Sequence, residues 1–457
     1  MRLAALEGDT TPSTVRREVE AGLRAHLCRC TGWQSIVEAA CDALDAEAEA
    51  DADHPLEQSR LAGSPEVLGR VTPRNPVLAS WRSQVEGPAF QSSGADVVLG
   101  GGGFADDSAP SDALLQLGAS APLAPGFRAA RAGMGRAQGR NSTVPLSHPV
   151  EGPPGEWTLT LQTTWVEPAY VEPDASWCRP GRRAASPLAN GGAFGGKRHS
   201  PVPDLAKALA DESAEAVRVL WRREDVVRHG PKRPPLAIAL RGDGTGIVRV
   251  GRTPGSPDLA PLAAQLAATC PGVEVEEVAV AGPPVAPELR AAGWGETLAS
   301  LHALRAEPAA AGRGRVHVAV PGAGSASVEL RLDEEARGRL RVEVWAGSVV
   351  CPVTLRSYVL GAVHQALGLV WSEGIAVDRE GEPLDLTIRS FGILAARDMP
   401  EVDVRLHDEE GWPVNGSDAV FVATLAAAWI AEGLPDRWPT RRATVRAPRR
   451  DVAPSSD

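Results

Sequence analysis

At 457 residues the chain has room for roughly two to four domains and a sizeable apolar core. Its 58 acidic against 47 basic residues give a formal net charge of −11, which argues against nucleic acid and anionic membrane surfaces as partners, because both recruit clustered cations. No apolar run approaches membrane-spanning length, "MRLAALEGDTT" turns acidic too early for a secretory signal, and six cysteines without framework spacing point to a reducing, cytoplasmic setting.

Near the N-terminus Val15, Val19, Leu23 and Leu27 stand four residues apart, the stripe of an amphipathic helix entered through Pro12, Ser13 and Thr14. Beyond Cys28 and Cys30, Thr31 and Gln34 stand in the capping-box relation, and Trp33, Ile36, Val37, Ala40 and Leu44 form the apolar face of a second helix. The two thiols therefore fall in a tight turn between helices. The helix N-terminus beyond them favours thiolate over thiol. This spacing suits a metal site, and equally two unligated thiols on a hairpin. Cys41 lies beside the apolar stripe and reads as packing, whereas Cys178, Cys270 and Cys351 are scattered singly, and no C-x-x-C occurs.

Residues 49–95 open acidic and continue with Pro and Gly, which predicts a linker too short to hold a flavin domain. From Asp96 "DVVLGGGGFADDSAP" reads as a strand entering a glycine turn, and "WTLTLQTTW" over 157–165 alternates as a half-buried strand. In "PLANGGAFGGKRHS", residues 187–200, the glycines remove side chains that would keep the backbone from a ligand, leaving amide donors around Phe194. A phosphate loop would need Ser or Thr after Gly191, Gly196 and Lys197, but Arg198 stands there, and Pro201 and Pro203 are expected to interrupt a following helix. A plain flexible turn is the bland alternative.

Residues 205–220 predict a helix followed by a strand, and 236–252 and 313–346 are strand-rich with turns at "GDGTG" and "PGAGSAS". Leu355, Tyr358, Val359, Ala362, Val363, Ala366, Leu367 and Val370 trace one face of a long helix started by Pro352. Strands are expected near 374–378, 385–391 and 401–407, then a last helix from Ser417 to Glu432, stopped by Gly433 and Pro435. Such segregated strands and helices indicate an α+β fold.

"LCRCTGWQSIVEA" resembles the second half of the 2Fe-2S domain of the xanthine dehydrogenase and aldehyde oxidase family of molybdenum hydroxylases, where a helical module ends in a C-x-R-C-T-G turn. The resemblance implies that Cys28 and Cys30 are two of four cluster ligands, the others belonging in the family to an upstream C-x-x-C-x-P-G-M turn. "GGAFGGK" resembles the loop that wraps the molybdenum–pterin centre in the same family, which makes Gly191, Gly192, Ala193, Phe194, Gly195 and Gly196 cofactor-binding candidates. "YVEPDASW", carrying Glu172 and Pro173, and "AVRVLWRREDVVRHGPKRP" resemble the flanking segments, and "LRAAGWGE" resembles a substrate-site turn that nominates Arg290. "VNGSDAVFVATLAAAW" occupies the place of the family's G-x-G-E segment, so Asp418 falls on the general base, one methylene shorter than glutamate. Ser417 and Asp418 also suit a helix start on their own account.

The resemblance implies a small all-helical 2Fe-2S-type segment over 1–48, N-terminally incomplete, followed after the 49–95 linker by a shortened mixed α+β region. Its parts are a first molybdopterin-binding-like region over 96–255, a second over 256–446, and a disordered tail over 447–457. The implied activity is oxidation of an aldehyde or N-heterocycle with water-derived oxygen, a carboxylate base taking the proton and electrons leaving through iron–sulfur. Any flavin must sit on a separate partner subunit. Two alternatives are a non-catalytic paralogue that binds cofactor or partners, and a small-molecule binding protein in which the glycine loop is a tight turn.

Overall fold

The computed structural model describes residues 12–23, 28–41, 85, 104–132, 134–135, 145–188, 192–307, 309–333 and 338–441. The strand expected at 96–100, nearly all of the 49–95 linker and the 447–457 tail lie outside these residues, as do Leu27, Leu44 and Gly191. The described residues form a mixed α+β architecture with three sheets.

The N-terminal hairpin pairs α1 (Pro12–Gly22) with α2 (34–41). Val15, Val19, Leu23, Trp33 and Val37 bury together as the spacing predicts. Ile36 instead is exposed, because the stripe through Trp33, Val37 and Ala40 already faces α1 and the body, leaving its neighbour to solvent.

The first sheet, in the order β1-β4-β3, sets β4 (Val217–Leu220) parallel to β1 (Leu114–Leu117) and antiparallel to β3 (Ala175–Cys178). The second runs β2-β5-β6-β7, where β2 is Leu159–Gln162, β5 Leu236–Leu240, β6 Gly246–Arg252 and β7 Val273–Ala279. β6 and β7 lie on either side of residue 255 and pair in parallel, so this sheet runs across that position. The third runs β11-β10-β9-β8, built from β8 (Arg313–Val320), β9 (Gly324–Arg331), β10 (Arg339–Trp345) and β11 (Glu401–His407). Strict alternation buries Val316, Val318, Val320, Val328, Leu330, Leu340, Val342 and Val344 on one face and turns arginines and carboxylates outward.

That apolar face covers α9 (Ser417–Ala431), which also packs against α7 (Trp294–Arg305) and α8 (Pro352–Trp371). Both α8 and α9 are buried nearly all round, so α8 is not the one-faced helix its apolar stripe suggests. The remaining helices are α3 (Phe127–Ala132), α4 (Val202–Ser213), α5 (Arg223–His229) and α6 (Ala260–Thr269).

Two local expectations fail for physical reasons. Pro201 and Pro203 do not interrupt a helix; they open α4, where the first turn has no intrahelical N–H partner to lose. Residues 374–378 and 385–391 form no ladder. Ile375 donates to the Trp165 carbonyl, Ala376 to the Asp385 carboxylate and Gly374 to the Phe391 carbonyl, and 388–390 close a 3-10 turn, so buried apolar loop has the composition of strand.

Candidate functional site

The glycine loop is a chain of turns in which the amides of Gly196, Arg198 and Ser200 reach back three residues to the carbonyls of Ala193, Gly195 and Lys197. Two positions require glycine. Gly195 has φ +93, and a Cβ there would lie 2.0 Å from the Glu288 carbonyl oxygen; a Cβ at Gly196 would lie 2.7 Å from the Tyr170 ring. Phe194 itself holds a left-handed φ of +52, and its carbonyl accepts the Arg290 amide at 3.1 Å. Lys197, buried, donates to Glu172 at 2.6 Å, so the loop, the "YVEPDASW" segment and the Arg290 turn form one body.

The cysteine turn seats on α8 at the other side of the loop. A Cβ at Gly361 would lie 2.1 Å from the Cys30 carbonyl, and one at Gly32 would lie 2.8 Å from His364 Cβ, so backbone meets helix directly. Between the two thiols Arg29 turns inward, donating two bonds to Glu373 at 2.6 and 2.8 Å with both side chains buried. Gln365 joins this turn to the site: its Nε2 donates to the Arg29 carbonyl at 3.2 Å, and its Oε1 accepts from Arg290 Nη1 at 3.3 Å. The Cys30 thiol faces the glycine loop, 3.5 Å from where a Cβ on Gly192 would stand. Although the Cys30 residue as a whole is exposed, desolvation of its thiol by these elements and the neighbouring Cys28 push its pKa up, while Arg290 and Arg29 pull it down.

Asp418 sits in the first turn of α9, half-buried, after Gly416 at φ +71. Burial raises its pKa; Arg290 and Arg233 oppose that shift. The Arg290 guanidinium stacks on the Phe194 ring at 4.9 Å. Arg233 donates to Glu296 at 2.5 Å and to the Arg290 carbonyl at 2.7 Å, and lies over the Phe421 ring at 5.0 Å. Phe194, Arg233, Arg290 and Phe421 border a cleft partly open to solvent, with apolar walls from Val166, Leu289 and Leu369.

The structure thus brings Gly192, Ala193, Phe194, Gly195, Gly196, Arg290, Cys30 and Asp418 into one neighbourhood. Cys28 packs against the apolar cluster of the helical hairpin, its thiol 3.3 Å from the Thr31 hydroxyl. Among the described residues no group of three metal-ligating side chains occurs, so the cysteine turn gains no further ligand there. Arg29, Arg233, Glu296, Gln365 and Glu373 were not singled out from the sequence, because isolated charged residues in apolar helices and loops carry no periodic signal.

No protein-family model matches the chain. The gamma subunit of the 6-hydroxypseudooxynicotine dehydrogenase complex of Paenarthrobacter nicotinovorans is 26% identical over 117 residues, which is 24% of this chain and only 15% of that relative's length. Among solved structures, the aldehyde oxidoreductase of Desulfovibrio gigas superposes with a TM-score of 0.54 at 11% identity, covering 94% of this chain and 86% of that one. The aldehyde oxidoreductase of Desulfovibrio desulfuricans gives 0.54 at 12% identity, covering 92% and 86%. The chain shares its fold with these oxidoreductases.

Proposed function

We propose that the chain is the molybdopterin-binding component of a hydroxylase or dehydrogenase that oxidises an aldehyde or N-heterocycle with water-derived oxygen. The observation that carries this reading is convergence: Phe194 of the glycine loop, Arg290 and the start of α9, remote in sequence, border one cleft in a fold shared with aldehyde oxidoreductases. The residues fit such a cofactor. The glycine loop reaches the cleft through Phe194, and Gln365, Arg290 and an Arg233 Nη2 without a hydrogen-bond partner among the described residues supply polar groups among apolar walls. Gly192–Gly196 and Arg290 would hold it. When bound it supplies the two-electron oxidation of the substrate carbon.

The chain's own share is positioning and proton transfer. Asp418 is the base in this reading: burial raises its basicity, and Arg290 and Arg233 oppose that shift. Phe194 and Phe421 exclude water from the cleft and orient a planar substrate. The iron–sulfur part fits less well, since a 2Fe-2S cluster takes four protein ligands and the described residues offer Cys28 and Cys30. No electron step is drawn through that turn. The helical segment over 1–48, the linker over 49–95, the tail beyond 446 and a separate flavin subunit belong to the same proposal, in which the two molybdopterin-binding-like regions on either side of 255 share the sheet that pairs β6 with β7. Among the described residues no helix is long and apolar enough to cross a membrane.

The test is metal analysis after expression in a host that makes molybdopterin, with aldehyde- or heterocycle-dependent dye reduction. Molybdenum at stoichiometric level with turnover supports the reading, and Asp418→Asn should abolish turnover with molybdenum retained. Protein that carries no molybdenum under these conditions overturns it.

A further inference from the structure

The outer face of the third sheet carries more cations than its own carboxylates pair. Strand register sets Arg313, Arg331 and Arg339 side by side across β8, β9 and β10, and like charges directly opposite one another are destabilising. Glu401 on β11 ends that row, 2.7 Å from Arg339. In the next row Arg315 and Arg341 flank Glu329, which Arg331 already holds at 2.7 Å. That bond, with the charges of Arg331, Arg315 and Arg341 around it, keeps the Glu329 carboxyl below its ordinary range. Arg313 and Arg315 are exposed and have no ion pair among the described residues. The side chains of Arg331, Arg339 and Arg341 are 57, 67 and 60% exposed, so no described element covers this corner, in a chain whose formal net charge is −11.

The complement stands in the sequence. Over 45–53, "DAEAEADAD" alternates five carboxylates with four alanines. In an extended chain every second side chain recurs at about 6.6 Å, the interval that also separates Arg313 from Arg315 along β8 and Arg339 from Arg341 along β10. The run is tethered near this sheet on both sides. Upstream, Glu38 of α2 takes two bonds, at 2.8 and 2.9 Å, from Arg356 near the start of α8, the helix that follows β10 after residues 346–351. Downstream, Val85 borders a groove with Ala346, Val349 and Tyr358, beside the end of β10. Asp53 stands 32 positions before Val85, a tether of up to about 100 Å, so the run has slack to reach along the face.

We propose that this arginine corner is a docking surface for the chain's own acidic run over 45–53, whose carboxylates pair with Arg313, Arg315, Arg331, Arg339 and Arg341. Single surface ion pairs contribute little, but a tethered segment acts at an effective concentration in the millimolar range, so several weak pairs suffice together. Docking neutralises the corner from within and keeps it from other acidic segments. It involves no residue of the cleft, and it holds whether or not the chain binds molybdopterin.

The experiment is titration of a fluorescein-labelled synthetic peptide of residues 44–54 with the whole purified chain, followed by fluorescence anisotropy at low ionic strength. The unchanged chain is set against one whose run is neutralised by Asp45→Asn, Glu47→Gln, Glu49→Gln, Asp51→Asn and Asp53→Asn. The neutralised chain should bind the peptide at least about tenfold more tightly, because its own run no longer competes, and about 1 M salt should abolish the binding. Adding Arg313→Gln, Arg315→Gln and Arg339→Gln to the neutralised chain should also abolish it while circular dichroism stays native. Adding instead Arg179→Gln, Arg182→Gln and Arg183→Gln, all exposed around the turn after β3, should leave it intact. No peptide binding by the neutralised chain, equal affinity for the two chains, or binding that survives loss of the three sheet arginines overturns the inference. If sedimentation shows the unchanged chain to be a dimer that neutralisation dissociates, the occupant is the run of a second copy, and docking within one chain is overturned.

Discussion

Glu373→Gln should loosen the cysteine turn without unfolding the body. Glu373 takes both nitrogens of Arg29 at 2.6 and 2.8 Å, with side-chain exposures of 3% and 4%, so removing its charge strands a buried guanidinium. Breaking one side of a buried pair typically costs about 3–5 kcal/mol, whereas replacing both partners by apolar residues is often close to neutral. Arg29 lies on the turn and Glu373 just after α8, so the loss falls on the contact between them. With every 1.4 kcal/mol worth about tenfold, even the lower figure lets residues 33–41 open about a hundredfold more often. Hydrogen exchange followed by mass spectrometry reads this directly: peptides over 28–41 should lose about a hundredfold of protection while α9 keeps its own, and Arg29→Met with Glu373→Met should restore most of it. Exchange at wild-type rates in Glu373→Gln, or a double variant as fast as the single, would refute the argument. Gly368→Ala offers a second route, because its Cβ would lie 2.0 Å from Glu373 Oε1 and push the carboxylate off Arg29.

Burial, with Arg29 nearby, depresses the pKa of His364 from 6.5 to about 3, so the folded state holds it neutral. Its contribution is complete above about pH 6.5 and is lost as pH falls toward 3, at up to about 1.4 kcal/mol per pH unit; chemical denaturation across pH should show that acid limb, flattened in His364→Gln. Gly195→Ala drives a Cβ against the Glu288 carbonyl at a φ of +93, where backbone cannot yield as a side-chain tip does. It should separate the loop from the Arg290 turn and abolish molybdenum retention, with a fall in melting temperature of several degrees; unchanged molybdenum content would show that the contact does not position the loop.

How much of this was legible in the sequence depended on whether the signal was local. The stripe of Val15, Val19 and Leu23, the alternation of β8 to β10 and the proline start of α8 are set by near neighbours, and each element formed where its period placed it. The glycine loop could be read because only a backbone without side chains survives contacts of 2.0 to 2.7 Å. The clamp could not, since Arg29 and Glu373 lie 344 positions apart and neither charge has a pattern around it. Apolar runs at 374–378 and 385–391 misled for a related reason: burial fixes composition, but only a neighbouring strand makes a ladder, and here single bonds to Trp165, Asp385 and Phe391 took the backbone donors and acceptors.

The C-R-C triplet divides its work between two faces. Arg29 points into the protein and is held by Glu373, while the backbone of the turn lies against Gly361 and His364; the Cys30 residue remains exposed. The turn is therefore held by an ion pair and helix packing, with the thiols adding only the Cys28 contact to the Thr31 hydroxyl, unlike small metal domains whose ligand bonds supply the folding energy. Cys28→Ser with Cys30→Ser should leave the protection of residues 33–41 within about threefold of wild type, an energy of about 0.7 kcal/mol, and Glu373→Gln should not. The comparison separates architecture from ligation. If the serine double variant opens the turn as far as Glu373→Gln does, the thiols carry structural weight and a bound metal or a bond between them must be sought; if it does not, the turn is preformed, and whatever ligand completes Cys28 and Cys30 arrives at a site already built.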